Sequence, residues 1–245
     1  MLELSNVRWE LPGGEEIIKG ISLKAAPGKL TVVTGPNGGG KTSIARLVAG
    51  LAVPTAGQIL LDGRDITQLD ITQRARLGIA YAFQQPVRFK GLSVRDLLEI
   101  AAGGTLPEDR LCAILGKVGL CTHDYISRPV DGSLSGGEIK RIEIATVLAR
   151  KDAKILVFDE PEAGIDLWSF TSLINVFSAL REERDRALLV ISHQERILEI
   201  ADDIVVIADG QVRVAGERDT VLPHLLSEEK QAHCPIDAQE RRSSR

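Results

Sequence analysis

Eight residues constrain this chain more than any other feature: Gly35-Pro36-Asn37-Gly38-Gly39-Gly40-Lys41-Thr42 fits the pattern G-x-x-x-x-G-K-[ST]. The apolar stretch Leu30 to Val33 leads into it, and Ser43 to Ala49 continues as a helical pattern. Glycines let the backbone curl until successive N–H groups converge on phosphate oxygens. A helix starting at the end of such a loop adds its positive dipole end, Lys41 a point charge, and Thr42 a hydroxyl suited to magnesium. A ligand-free glycine turn is the competing reading. A chance match is expected in on the order of one chain in a hundred of this length. The strand–loop–helix setting lowers that further, so a nucleotide site spanning Gly35 to Ser43 is expected.

Two carboxylates supply the complement. Ile155-Leu156-Val157-Phe158 is a continuous apolar run, as a strand covered on both faces requires, and Asp159-Glu160 follows it directly. Side chains at that end of a parallel sheet point into the crevice where ligands bind. Asp159 is placed to hold a metal through its coordinated water, and Glu160 to accept a proton from an attacking water. A third element is Leu134-Ser135-Gly136-Gly137-Glu138. Ser135 and Glu138 form a capping box for a helix through Arg150, with Ile142, Ala145, Leu148 and Ala149 on one face. Two glycines at that tip leave backbone N–H groups approachable, which makes the same tip an anion site.

The rest of the chain frames these elements. Leu2 to Trp9, Ile17 to Leu23 and Leu30 to Val33 read as short strands broken by Pro12-Gly13-Gly14 and Pro27-Gly28. Gln58 to Gly63 reads as a strand closing in an Asp-Gly turn, and Ile79 to Phe83 as a buried strand. From about 86 to 150 the pattern turns helical, with Ser93…Asp96 and Thr105…Glu108 as helix starts. Leu173, Val176, Phe177 and Leu180 mark a further helix face. Leu188 to Ile191 is a buried strand, and Ile204 to Ala208 with Gln211 to Val214 flank a hairpin at Asp209-Gly210. The expected organisation is one α/β domain over 1–226, interrupted by a helical lobe at about 86–150 and followed by a polar tail, 227–245.

Composition narrows the partners. A chain of 245 residues with 44% hydrophobic and 26% charged residues is an ordinary globular one, and a net charge of −4 lacks the basic footprint of nucleic-acid binding. Cys112, Cys121 and Cys234 form an odd set without C-x-x-C spacing, which points to unpaired thiols and a cytoplasmic setting. Cys121 with His123, and His233 with Cys234, offer two donors each, short of a metal site. No run reaches the roughly 18 apolar residues needed to span a bilayer, and Met1 to Ser5 has no secretory pattern. Membrane association is therefore expected only through a partner.

Gly35–Thr42, Gln84, Leu134–Glu138, Ile155–Glu160, Asp166 and His193 occur in the order and spacing of the ATP-binding-cassette (ABC) ATPases, and the resemblance spans about residues 2 to 225. It implies a P-loop NTPase fold: an α/β core, an N-terminal antiparallel β subdomain and an inserted helical subdomain. It implies hydrolysis of ATP with Mg2+ between two copies arranged head to tail. Ser135, Gly136 and Gly137 would then touch the γ-phosphate held by the other copy's phosphate loop. Gln84 would sense the metal and water at the hinge to the lobe, His193 would orient the water, and Asp166 would join the dimer interface. The family's adenine-stacking aromatic falls near Leu11, with Trp9 two residues away. A single cassette, with only about fifty residues between Gln84 and Ser135, differs from two-cassette translation factors and from repair proteins with a long coiled coil.

Within the family, Arg74–Val87, Ser135–Glu143 and His193–Leu198 resemble SufC, the ATPase of iron–sulfur cluster assembly, implying a SufB/SufD-type scaffold as partner. Pro161 to Asp166 is closer to transporter cassettes, which keeps the ATP-binding subunit of a membrane transporter as the alternative.

Overall fold

The computed structural model describes residues 1–232, so His233, Cys234 and the terminal part of the expected tail lie outside the described residues. In chain order the elements are β1 (Leu2–Glu10), β2 (Glu16–Ala25), β3 (Leu30–Thr34), α1 (Lys41–Ala49), β4 (Ala56–Leu61), β5 (Arg64–Asp65), α2 (Ile71–Arg76) and β6 (Ile79–Ala82). Then come α3 (Val94–Ala102), α4 (Glu108–Lys117), α5 (Thr122–Tyr125), α6 (Gly136–Ala149), β7 (Ile155–Asp159) and α7 (Leu167–Glu182). The chain continues with β8 (Ala187–Ile191), α8 (Glu195–Glu199), β9 (Asp203–Ala208), β10 (Gln211–Glu217) and α9 (Arg218–Ala232). The last helix runs through the 226/227 boundary expected for the tail.

Two sheets result. The first, in the order β2-β1-β4-β5, is antiparallel. The second, in the order β10-β9-β3-β8-β7-β6, is parallel except for its β10 edge, which pairs with β9 as the hairpin expected at Asp209-Gly210. Its central strands β3, β7 and β8 are buried along their whole length because both faces are covered. Alternate side chains enter different cores. Leu30, Val32, Leu156, Phe158, Leu188 and Val190 join α3, α4, α6 and α7 in one. Val33, Ile155, Val157, Leu189 and Ile191 join α1 and the antiparallel sheet in the other. In the first core Phe158 meets Phe177 edge-on, with ring centroids 5.0 Å apart.

Helix starts follow local chemistry. Ser93 accepts from Asp96 N and Asp96 reaches back to Ser93 N, as the capping-box pattern requires. The start expected at Thr105 is not used. Pro107 drives Leu106 out of helical backbone and itself occupies the cap of α4, so Glu108 is the first helical residue. The expected helical character at 86–92 is also absent. Phe89 N donates to Val130 O and Val130 N to Leu92 O, which ties this segment alongside 126–130 instead.

Arg74, fully buried, donates to the carbonyls of Leu47 and Val48 at the end of α1 and to those of Thr67 and Leu69. A buried guanidinium is tolerable here because it answers carbonyls that a helix end leaves open.

Candidate functional site

β3 delivers the chain to the phosphate loop. Gly35 sits at φ 132°, and a Cβ there would lie 2.0 Å from the Ile207 carbonyl oxygen, so only glycine lets the loop press against β9. Gly40 provides the turn into α1, which has no side-chain cap. Its first-turn N–H groups therefore stay open toward the loop. Lys41 is 5% exposed, and its ammonium donates to Gly35 O at 2.8 Å and Pro36 O at 2.9 Å. Burial pulls its pKa down, while Glu160 and Asp159 oppose that pull.

β7 carries the carboxylates to the same place. Asp159 is fully buried and accepts from Thr42 Oγ1 at 3.3 Å and from Tyr81 Oη at 3.0 Å. Burial raises its pKa, the Tyr81 bond holds it down, and Glu160 adds repulsion. Glu160 has a left-handed backbone, φ 45°, held by its N–H donating to Ile191 O at 3.0 Å. That turn aims its carboxylate at Gln84, whose Nε2 donates to Glu160 Oε2 at 2.8 Å.

A cleft of about 400 Å³ is lined by Ile17, Asn37, Gly38, Gly40, Lys41, Thr42, Ser43, Gln84 and Glu160. The fold thus brings the loop, Gln84 and Glu160 together from three distant stretches. A hydroxyl and a carboxylate within hydrogen-bonding reach suit a small hard cation that completes its shell with phosphate oxygens and water. The buried Asp159 charge is the kind such a cation offsets. Among the described residues no cluster of three His, Cys, Asp or Glu side chains could hold a metal by itself.

The other expected residues lie elsewhere. Ser135 caps α6, accepting from Glu138 N, while Glu138 Oε2 accepts from Ser135 N at 2.7 Å. The Tyr125 hydroxyl, the Ser135 bonds and Arg128 hold the Glu138 carboxyl down at about 2. Gly136 faces open space, whereas a Cβ at Gly137 would stand 3.0 Å from Gly164 O. Leu134 is buried beneath this tip. Asp166 accepts from Ser169 N and Oγ at the start of α7, a capping role legible as Asp166-x-x-Ser169. His193 is exposed on the turn after β8. None of Leu134–Glu138, Asp166 or His193 lines the cleft. Of the two positions considered for adenine, Trp9 packs partly against the second core and Leu11 is exposed.

Sequence reasoning missed Ile17 in the cleft wall, Tyr81 on Asp159, and the pair Lys140 and Glu143. The buried Lys140 ammonium donates to the carbonyls of Phe83 and Gln84, and Glu143 accepts from Phe83 N at 2.8 Å. Helical periodicity marks both as polar positions on α6 and carries no sign of a contact so far along the chain.

Known proteins resemble this chain in sequence and in fold. Residues 18–163 match the family described as ABC transporter. The chain belongs to the ABC transporter family. Over 213 residues it is 36% identical to an uncharacterized ABC transporter ATP-binding protein of Methanocaldococcus jannaschii, covering 84% of each chain. It is 35% identical over 214 residues to the lipopolysaccharide export system ATP-binding protein LptB of Acidithiobacillus ferridurans, covering 84% of this chain and 86% of that one. A bacterial ABC transporter cassette solved as a dimer superposes with a TM-score of 0.80 at 23% identity, over 89% of this chain and 99% of that one.

The fold is accordingly the P-loop NTPase fold of an ABC cassette, and the chain is an ATP-binding cassette of a family that hydrolyses ATP. The same neighbouring cassette has been solved in a post-hydrolysis state bound to ADP and Pi. The SufC-like subfamily expected from 74–87, 135–143 and 193–198 is not supported. These relatives bear the names of transporter ATP-binding proteins, and the motif stretches that suggested SufC are short beside matches spanning most of the chain.

Proposed function

We propose that this chain is the ATP-hydrolysing subunit of an ABC membrane transporter, and that it binds MgATP between two copies arranged head to tail. The observation that carries the head-to-tail reading is the separation within one chain of two complementary anion-binding parts. The cleft has lysine, hydroxyl and carboxylates, while the Ser135–Gly137 helix tip, with its open N–H groups, lies outside its lining. A second copy would bring that tip to the phosphate. Names printed for relatives that match over most of both chains support the transporter role over a SufB/SufD-type scaffold.

In this reading Gly35 to Ser43 cradle the triphosphate, and Lys41 exchanges its loop carbonyls for phosphate oxygens. Thr42, Asp159 and Gln84 would hold Mg2+, which when bound neutralises phosphate charge. Glu160, already turned toward the cleft, accepts the proton of the attacking water, and Gln84 fixes its carboxylate. His193 swings in with the γ-phosphate, and Asp166 meets the partner copy. Such a site works by positioning and by stabilising charge, with little covalent chemistry by the protein.

No helix among the described residues is long and apolar enough to cross a membrane, so contact with one goes through the partner subunit. A groove lined by Phe83, Val87, Phe89, Leu97 and Val130, with Val87 45% and Phe89 42% exposed, would receive a short helix of that subunit. Affinity capture of the full chain from its native membranes in detergent tests the role. An integral membrane partner is expected. Complete recovery in a soluble complex without detergent would overturn the transporter reading in favour of a scaffold such as SufB/SufD.

A further inference from the structure

Lys140 carries a charge into the interior without any use in the chemistry above. Its side chain is fully buried, and burying an ammonium is costly unless acceptors surround it. The carbonyl of Phe83 and that of Gln84 at 3.3 Å accept from it, and Glu143 Oε2 stands 3.4 Å away as an ion-pair partner. Glu143, three residues on, takes the Phe83 N–H at 2.8 Å through its other oxygen. The pair therefore holds the N–H and the carbonyl of Phe83 and the carbonyl of Gln84. The Gln84 side chain in turn holds Glu160 at 2.8 Å. A purely structural charge pair in a core is replaceable by apolar side chains, and keeping one here makes sense where it fixes a geometry.

We propose that Lys140 and Glu143 are positioning residues: they clamp the backbone at Gln84 so that its amide holds Glu160 in the orientation for hydrolysis. The proposal deepens the reading just given and rests on it for the roles of Gln84 and Glu160.

The clamp's placement gives it two inputs. Lys140 stands five residues after Ser135, about 7 Å along the helix axis, so movement of the phosphate-facing tip of α6 reaches it through one rigid segment. Glu143 also lines the apolar groove together with Phe83, so whatever fills the groove bears on the same two side chains. Both the other copy's nucleotide and the docked partner thus act on the backbone at Phe83 and Gln84. Burial raises the pKa of Glu143, and Lys140 and the Phe83 N–H partly oppose the rise.

The test uses the full chain. Lys140→Met removes the ammonium at similar length, and Lys140→Met/Glu143→Gln removes both charges while keeping an acceptor for Phe83 N–H, which protects folding. Calorimetric ATP affinity should stay within about twofold. Phosphate release per bound ATP should fall roughly tenfold or more, the loss typical of removing charge-assisted hydrogen bonds. Added to Gln84→Ala, the double change should cost nothing further, because it acts through that residue. A role in stability alone would lower thermal stability and leave turnover per bound ATP unchanged. Wild-type turnover in the double variant, or a loss that multiplies with that of Gln84→Ala, overturns the clamp alone. Unchanged turnover in Gln84→Ala by itself overturns the assignment of Gln84, and the clamp falls with it.

Discussion

The cleft and the tip of α6, the two parts proposed to meet a phosphate, are built in opposite ways. In the cleft the charges are side chains in temporary company: Lys41 on the carbonyls of its own loop, Asp159 on two hydroxyls, Glu160 on Gln84. At the tip the side chains are already engaged with one another, Ser135 with Glu138 and Glu138 with Tyr125 and Arg128. Only backbone N–H groups are left facing outward there. The difference shows in the acids. Burial raises the Asp159 carboxyl, and hydrogen bonds hold the Glu138 carboxyl at about 2. The cleft keeps a buried carboxylate whose ionisation is disfavoured, whereas the acid at the tip is held ionised by its hydrogen bonds.

The largest test of that contrast is Glu160→Gln. Removing the base without changing its shape should lower phosphate release by about 10²–10⁴-fold, the usual range for a general base, while ATP still binds. A rapid phosphate-release assay decides, and unchanged release would leave the cleft without its proposed base. Next in size, Lys41→Met should weaken ATP binding about 10–100-fold, the range for hydrogen bonds to a charged group, when followed by calorimetry. Gly136→Asp should spare nucleotide binding by the single chain, since that site faces open space, yet prevent ATP-dependent dimerisation by setting a carboxylate against the bound phosphate. Light scattering with ATP in the Glu160→Gln background reads this directly, and a normal dimer there would remove the tip from the interface.

The smallest effect is on pH dependence, where the two regions should differ in sign. Glu138 is depressed from 4.5 to about 2, so its contribution to stability is present above about pH 4.5 and fades as pH falls toward 2. Asp159 is raised, so its ionisation costs stability at neutral pH and that cost lessens as pH falls through its raised value. Thermal melts of Glu138→Gln should lose the acid-side dependence, and those of Asp159→Asn should gain about 2–4 °C at neutral pH without nucleotide, as about 1 kcal/mol does in a chain of this size.

Much of the cleft and of the α6 tip was legible because their signals are local. The run Gly35–Thr42, the apolar strand ending in Asp159-Glu160 and the Ser135…Glu138 cap each declare themselves within a few residues. The failures have equally specific causes. Thr105…Glu108 matches a cap pattern, but a proline at 107 decides where α4 begins. The segment 86–92 finds its backbone partners at 126–130, a pairing that no local window reveals. Tyr81 reads as a strand residue, and only the parallel pairing of β6 with β7 sets its hydroxyl on Asp159. For α6 the single apolar stripe undercounts burial, since Ile139, Ile144 and Val147 are also enclosed, and that enclosure makes Lys140 an interior residue. The SufC-like reading rested on a few short stretches, and similarity over 84% of the chain outweighed them.

The alternation of side chains along β3, β7 and β8 has a mechanical corollary. Because neighbouring residues on one strand belong to separate packed interiors, the strand layer works as a bulkhead. Helices of the lobe pack on one surface, and the opposite compartment includes α1 behind the phosphate loop. Damage should be compartmentalised too: a void opened at Val190 loosens the core shared with the lobe helices, and one at Leu189, the very next position, loosens the core shared with α1 and the antiparallel sheet.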